Sequence, residues 1–193
     1  EGAQNPKNHG YQPYRGLPEL RSGIADFYKR TYNVTLNPVN QVLPLLGSKE
    51  GILHISMAFL NPGDKVLVPD PGYPTYTSVS NLVSAQIVTY DLTEETGWYP
   101  NLTELEKQDL TGVKLMWINY PHMPTGAKAN YDRFVELVAF AKKHGILLCH
   151  DNPYSLVLNE EAPISIFSVP GAFEVAVELN SLSKSFNMAH VGT

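Results

Sequence analysis

The chain has 193 residues, 43% of them apolar and 17% charged, which is enough to bury a core and suits one domain better than two. Its 14 lysines and arginines are scattered among 19 aspartates and glutamates, so the net charge of −5 leaves no basic stripe for nucleic acid or a membrane surface. Cys149 is the single cysteine, which excludes a disulfide framework and a thiolate metal cluster and fits a reducing cytoplasm.

The first ten residues lack the apolar core of a signal peptide, no stretch is long enough to span a membrane, and both ends read as abrupt. From Leu17 to Tyr32, apolar Leu20, Ile24, Phe27 and Tyr28 recur at helical spacing and predict an amphipathic helix. A second helix is predicted from Lys49 to Leu60, between Gly47-Ser48 and the breaker cluster Asn61-Pro62-Gly63-Asp64. Strands are predicted at Lys65 to Pro69, Gln86 to Tyr90 and Val113 to Ile118. A helix follows from Tyr131 to His144 with a stripe of Phe134, Leu137, Val138 and Ala141, closed by Gly145. Ile146 to Cys149 is apolar on both faces, as a central parallel strand is, and Glu174 to Leu179 makes one more strand. Strands alternating with helices imply βαβ units: an α/β three-layer sandwich around a mostly parallel sheet.

Ligands of such sheets gather at the carboxyl ends of the strands. There, Gly47-Ser48-Lys49 opens a helix and offers amides and a positive dipole end to an anion; the same residues also make an ordinary helix start with Ser48 as N-cap. Tyr73, in Asp70-Pro71-Gly72-Tyr73-Pro74, either stacks on a planar heterocycle or packs over its loop. Asp151 follows a fully apolar strand, where burial penalises its charge unless a cation meets it, and a protonated ring nitrogen is one such cation. Lys184 stands among the hydroxyls of Ser181, Ser183 and Ser185, and a partly desolvated lysine at a strand end is what imine chemistry requires; a lone lysine is otherwise a solvated surface group.

Taken in order, Tyr11, Gly16-Leu17-Pro18-Glu19-Leu20-Arg21, Gly47-Ser48-Lys49, Asn61-Pro62-Gly63-Asp64, Tyr73-Pro74, Pro124-Thr125-Gly126, Asp151-Asn152-Pro153-Tyr154 and Ser181-Leu182-Ser183-Lys184 resemble the large domain of class I and II, fold-type I, pyridoxal-phosphate-dependent aminotransferases, from about Tyr11 to Ala189. The resemblance implies a pyridoxal-phosphate-binding domain over residues 1–193 that transfers an amino group between an amino acid and a 2-oxo acid, with Lys184 holding the cofactor as a Schiff base and shuttling the proton. It further implies that Asp151 pairs with the pyridinium nitrogen, Tyr154 donates to the ring's phenolic oxygen and Tyr73 stacks on the ring. Ser48, Lys49, Ser181 and Ser183 would hold the phosphate. Tyr11 would reach the phosphate of a neighbouring subunit, which implies a homodimer.

The sequence departs from the family's pattern twice. Met123 occupies the place of the asparagine before Pro-Thr-Gly, so either His122 or Tyr154 alone supplies a hydrogen bond to the ring's phenolic oxygen. After Ala189 the family's phosphate-binding arginine is missing, and the chain reads His190-Val191-Gly192-Thr193. The antiparallel strand that follows in the family, and the small C-terminal domain with its carboxylate-gripping arginine, are expected to lie outside this sequence, so that the chain reads as truncated and alone would turn over amino acids poorly. A pyridoxal-phosphate β-lyase on the same scaffold, or a non-catalytic remnant or sensing domain, are the alternatives.

Overall fold

The computed structural model describes every residue except 1, 12, 158, 159, 190 and 191. Residues 1–44 and 45–193 form two compact units. The first is built on helix α1, Pro18–Tyr32, with Pro18 in its first turn and Asn33 closing it in the left-handed conformation. Ala25, Tyr28 and Tyr32 are its buried residues, and the Tyr28 and Tyr32 rings lie 5.1 Å apart. Arg21 braces the following turn by donating from Nη1 to the carbonyls of Pro38 and Val39 at 2.9 and 3.2 Å.

The second unit is a parallel sheet of five strands: β1 Lys65–Asp70, β2 Gln86–Asp91, β3 Val113–Asn119, β4 Leu147–Asn152 and β5 Ala176–Asn180, in the order β2-β1-β3-β4-β5. Helix α2 (Ser48–Phe59) precedes the strands, α3 (Pro74–Leu82), α4 (Leu102–Leu105), α5 (Tyr131–His144) and α6 (Ala172–Val175) lie between them, and α7 (Leu182–Ser185) follows β5. Because strand side chains alternate, each strand feeds two cores. Val66, Val68, Leu115, Trp117 and Cys149 pack with Ile52 of α2 and Tyr76 of α3, whereas Leu67, Met116, Ile118 and Leu148 pack with Phe134 and Leu137 of α5. Both faces are therefore covered, which is why β3 and β4 read as continuous apolar runs.

The predicted helix 131–144 has the observed bounds, and Gly145 ends it at φ 65° with its N–H on the Ala141 carbonyl. β1, β2 and β3 each run one residue beyond the expected end, α1 starts one residue later, α2 lies one residue earlier, and two strands differ more. Strand β4 starts one residue later and continues through His150, Asp151 and Asn152, since a parallel strand flanked on both sides keeps its ladder beyond the apolar run. Glu174 and Val175 belong to α6, and β5 begins at Ala176. Helix α3 and the short helices α4, α6 and α7 were not foreseen in the sequence.

Candidate active site

Strand β1 is flanked by β2 on one side and β3 on the other, so the connection order reverses between β1 and β3. That reversal opens a crevice at the carboxyl ends of the strands. A cavity of about 560 Å³ lies there, a volume suited to a small organic ligand. Tyr73 enters it from the loop after β1, Asn119 and Met123 from the end of β3 and beyond, Asp151, Pro153 and Tyr154 from β4 and its loop, and Ser181, Ser183 and Lys184 from the segment after β5. The start of α2 supplies Gly47, Ser48, Lys49 and Glu50.

Gly47, not Ser48, is the N-cap of α2, and no side chain caps the helix. Its φ of 148° is open only to glycine among ordinary residues, so the turn selects glycine and moves Ser48 into the first helical position. Among the first-turn amides, that of Glu50 donates to the Gly47 carbonyl at 3.1 Å, while those of Ser48 and Lys49 precede the helix's own ladder and, with the helix dipole, present a positive end to the cavity beside Lys49. Lys49 Nζ also stands 5.8 Å from the centroid of the Tyr73 ring. The approach to Tyr73 requires glycine as well, because a Cβ on Gly72 would sit 2.3 Å from the Pro69 carbonyl oxygen.

The antiparallel pairing expected to lie outside the sequence begins within it. Gly192 bridges Leu45 and Ser181 in antiparallel fashion, and Thr193 exchanges two hydrogen bonds with Asn180 at 2.7 and 3.0 Å. A Cβ on Gly192 would come within 3.0 Å of Gly47 Cα, so this segment underlies the cradle at the start of α2. His190 and Val191, where the sequence departs from the family after Ala189, lie outside the described residues.

Asp151 is 3% exposed and held from several directions. Its backbone carbonyl accepts from Asn119 Nδ2 at 2.7 Å, and Asn119 Oδ1 in turn accepts from the Met123 amide at 2.9 Å. Its Oδ2 accepts from the Tyr76 hydroxyl at 2.9 Å, while Oδ1 is buried with no hydrogen-bond partner among the described residues. Burial pushes the carboxyl up to about 6, against the opposing pull of the Tyr76 hydrogen bond and the His150 charge. On the opposite face of β4, His150 Nε2 lies 2.9 Å from the Tyr120 carbonyl, which can only accept, so Nε2 carries a proton. His150 Nδ1 meets Glu178 Oε2 at 2.7 Å, a contact that holds a second proton, and Glu178 also accepts from Ser165 Oγ and the Ile166 amide.

Lys184 lies in α7, where Ser181 is the N-cap and accepts from the Ser183 amide at 3.2 Å. The lysine is exposed, in contrast with the partial desolvation expected from sequence, because α7 buries none of its residues. Tyr154 is half-buried, and burial first, then the Asp151 charge, holds its hydroxyl above the usual phenol range. His122 does not line the cavity: it is buried, with Nδ1 2.8 Å from Thr125 Oγ1 and its ring tilted against Tyr120. Of the two groups considered for compensating Met123, only Tyr154 faces the cavity. Tyr11 belongs to the first unit and is fully exposed.

Sequence reasoning passed over Tyr76, Asn119 and Glu50. Tyr76 carried only the general signal that a tyrosine, once buried, needs a partner for its hydroxyl.

The doubly covered parallel sheet and its switch-point cavity, with a helix start, a buried carboxylate and a lysine on its lining, define an α/β protein. The family model of class I and II aminotransferases matches residues 2–192, and the chain belongs to that family, which generally depends on pyridoxal phosphate. The chain is 45% identical over 189 residues to an LL-diaminopimelate aminotransferase of Dehalococcoides mccartyi, covering 97% of this chain and 49% of that protein. It is 43% identical over 186 residues to an LL-diaminopimelate aminotransferase of Aquifex aeolicus, covering 96% of this chain and 48% of the relative. Among solved structures, substrate-bound BacF from Bacillus subtilis superposes with a TM-score of 0.96 at 41% identity, over 99% of this chain and 49% of that one. A probable N-succinyldiaminopimelate aminotransferase from Thermus thermophilus superposes with a TM-score of 0.91 at 35% identity, over 98% and 52%. The chain thus spans about half the length of the curated relatives it matches.

Proposed function

We propose that residues 1–193 form the pyridoxal-phosphate-binding portion of an aminotransferase that moves an amino group between an amino acid and a 2-oxo acid. The observation that carries this reading is the buried, unpartnered Oδ1 of Asp151 on the same cavity as Lys184. A buried carboxylate oxygen needs a donor, preferably a charged one, and the protonated nitrogen of a pyridine ring supplies both. At the other side of the cavity, the first turn of α2, Lys49, Ser181 and Ser183 offer amides, a cation and hydroxyls suited to a phosphate dianion. These residues fit the cofactor. Lys184 is the amine that would hold it covalently and move a proton, Tyr73 would cover the ring face, and Tyr154 would donate to its phenolic oxygen. When bound, pyridoxal phosphate supplies an electron sink for the bonds of the amino acid's α-carbon.

The names of the relatives put LL-diaminopimelate first among the amino acids to test. The protein is expected to act in the cytoplasm as a homodimer in which Tyr11 of one subunit serves the other's phosphate. The test supplies pyridoxal phosphate, a nitrogen-15-labelled amino acid and a 2-oxo acid to the protein. Label arriving on the oxo acid supports the reading. Release of pyruvate and ammonia would mark a β-lyase, and failure to bind the cofactor saturably would set the reading aside.

A further inference from the structure

Tyr76 is completely buried at the third position of α3, 75 residues from the carboxylate it serves. Its ring lies parallel to Trp117 of β3, with centroids 5.1 Å apart and planes at 5°, and meets the edge of Tyr73 at 5.7 Å and 84°. Ser80 Oγ donates to its backbone carbonyl at 2.7 Å. The Tyr76 hydroxyl therefore has a fixed position, and it donates to Asp151 Oδ2. A carboxylate has two oxygens; this contact occupies one and turns the other, Oδ1, to the buried position where no described residue meets it.

The type of donor matters. A lysine or arginine there would neutralise Asp151 and compete with any cation in the cavity. A phenol stabilises the anion and fixes its torsion without adding charge, so the full negative charge remains available to a ligand cation. The same ring packs at 84° against Tyr73, so one side chain touches both the acceptor and the aromatic wall of the cavity.

We propose that Tyr76 is a positioning residue that orients the Asp151 carboxylate toward the cavity and keeps it ionised for a cationic ring nitrogen. The proposal rests on the reading of the cavity as a pyridoxal phosphate site.

Tyr76→Phe keeps the ring stack and removes only the hydroxyl. Two measurements test it. The first is a carbon-13 carboxyl titration of Asp151 in protein without added cofactor; the titratable groups around it are Tyr76 from α3, His150 on β4, Tyr73 and Tyr154 from the loops, and, across the same cavity, Lys49 and Glu50 of α2 and Lys184 of α7. Tyr76→Phe should raise the midpoint, and 3-fluorotyrosine at position 76, a stronger donor, should lower it. The second compares binding of pyridoxal phosphate with that of its 1-deaza analogue, in which carbon replaces the ring nitrogen. Tyr76→Phe should weaken pyridoxal phosphate at least about tenfold, as loss of a hydrogen bond to a charged group implies, and leave the analogue unchanged. Equal weakening of both ligands, or an unmoved carboxyl midpoint in both variants, would overturn the proposal. If the wild-type protein does not discriminate the two ligands, the cofactor reading fails, and the carboxyl midpoint alone decides for or against Tyr76. Should Tyr76→Phe fold poorly, the fluorotyrosine shift decides.

Discussion

His150 and Glu178 meet at 2.7 Å with neither side chain exposed, directly behind Asp151 on the other face of β4. Removing Glu178 takes from buried His150 Nδ1 its carboxylate, leaving only the Tyr120 carbonyl at Nε2, and breaking a buried pair in this way typically costs about 3–5 kcal/mol, whereas replacing both with apolar groups of similar volume costs less. Glu178→Ala is therefore expected to lower stability by about that amount in urea unfolding, while the double variant His150→Phe, Glu178→Leu recovers a large part of it. Strictly additive losses would show that the two side chains are not coupled.

Asp151 makes stability depend on pH with a sign that can be stated in advance. Its ordinary value is 3.8 and burial raises it in the folded chain to about 6. Below about pH 4 the group is protonated in both states and has no effect. As pH rises the unfolded chain releases its proton first, so stability falls between about pH 4 and 6 and the full cost, about 3 kcal/mol, persists above it. Without added cofactor, Asp151→Asn should lack this decline. Parallel profiles for the two proteins across that window would remove the buried charge from the account.

Gly72 tests the wall of the cavity. A Cβ there would lie 2.3 Å from the backbone oxygen of Pro69, which cannot swing aside as a flexible side chain would. Gly72→Ala should displace the loop carrying Tyr73, lower stability by roughly 1–3 kcal/mol as overpacking does, and weaken pyridoxal phosphate binding. Unchanged cofactor affinity would mean that the Tyr73 position does not matter to the ligand.

The sequence was legible where period and punctuation agree. Helix α5 has an apolar stripe, Asn130 accepting from the Arg133 amide at its start and Gly145 at its end, and its bounds were readable without error. Helix α3 was not, because Pro74-Thr75-Tyr76-Thr77-Ser78-Val79-Ser80 is rich in hydroxyl and β-branched residues that favour helices weakly; tertiary packing of Tyr76 and Val79 overrides that preference. Asp151 stood out because it follows an apolar strand. Its partner Tyr76 did not, since nothing local in either segment encodes a contact 75 residues away. Ser48 as N-cap was a sound local reading, overruled by a backbone turn that only Gly47 can make.

The last prediction separates the two lysines on the cavity. Lys65, Lys107, Lys128, Lys142 and Lys143 are committed to carboxylates at 2.6–2.9 Å, and only Lys49 and Lys184 line the cavity among the described residues. Lys49 belongs to the first turn of α2 beside the helix amides, a setting for a cation that holds phosphate. Lys184 follows β5, shares the rim with Asp151 and Tyr154, and is the amine placed to react. Borohydride reduction with pyridoxal phosphate, followed by peptide mapping, should place the pyridoxyl group on Lys184. Lys184→Ala should abolish that adduct yet still bind the cofactor reversibly, because the phosphate cradle is intact. Lys49→Ala should keep the adduct on Lys184 but require a higher cofactor concentration, about tenfold or more for loss of one charge-assisted contact. A pyridoxyl group found on Lys49, or retained in Lys184→Ala, would reverse the assignment of the two lysines and leave the fold unaffected.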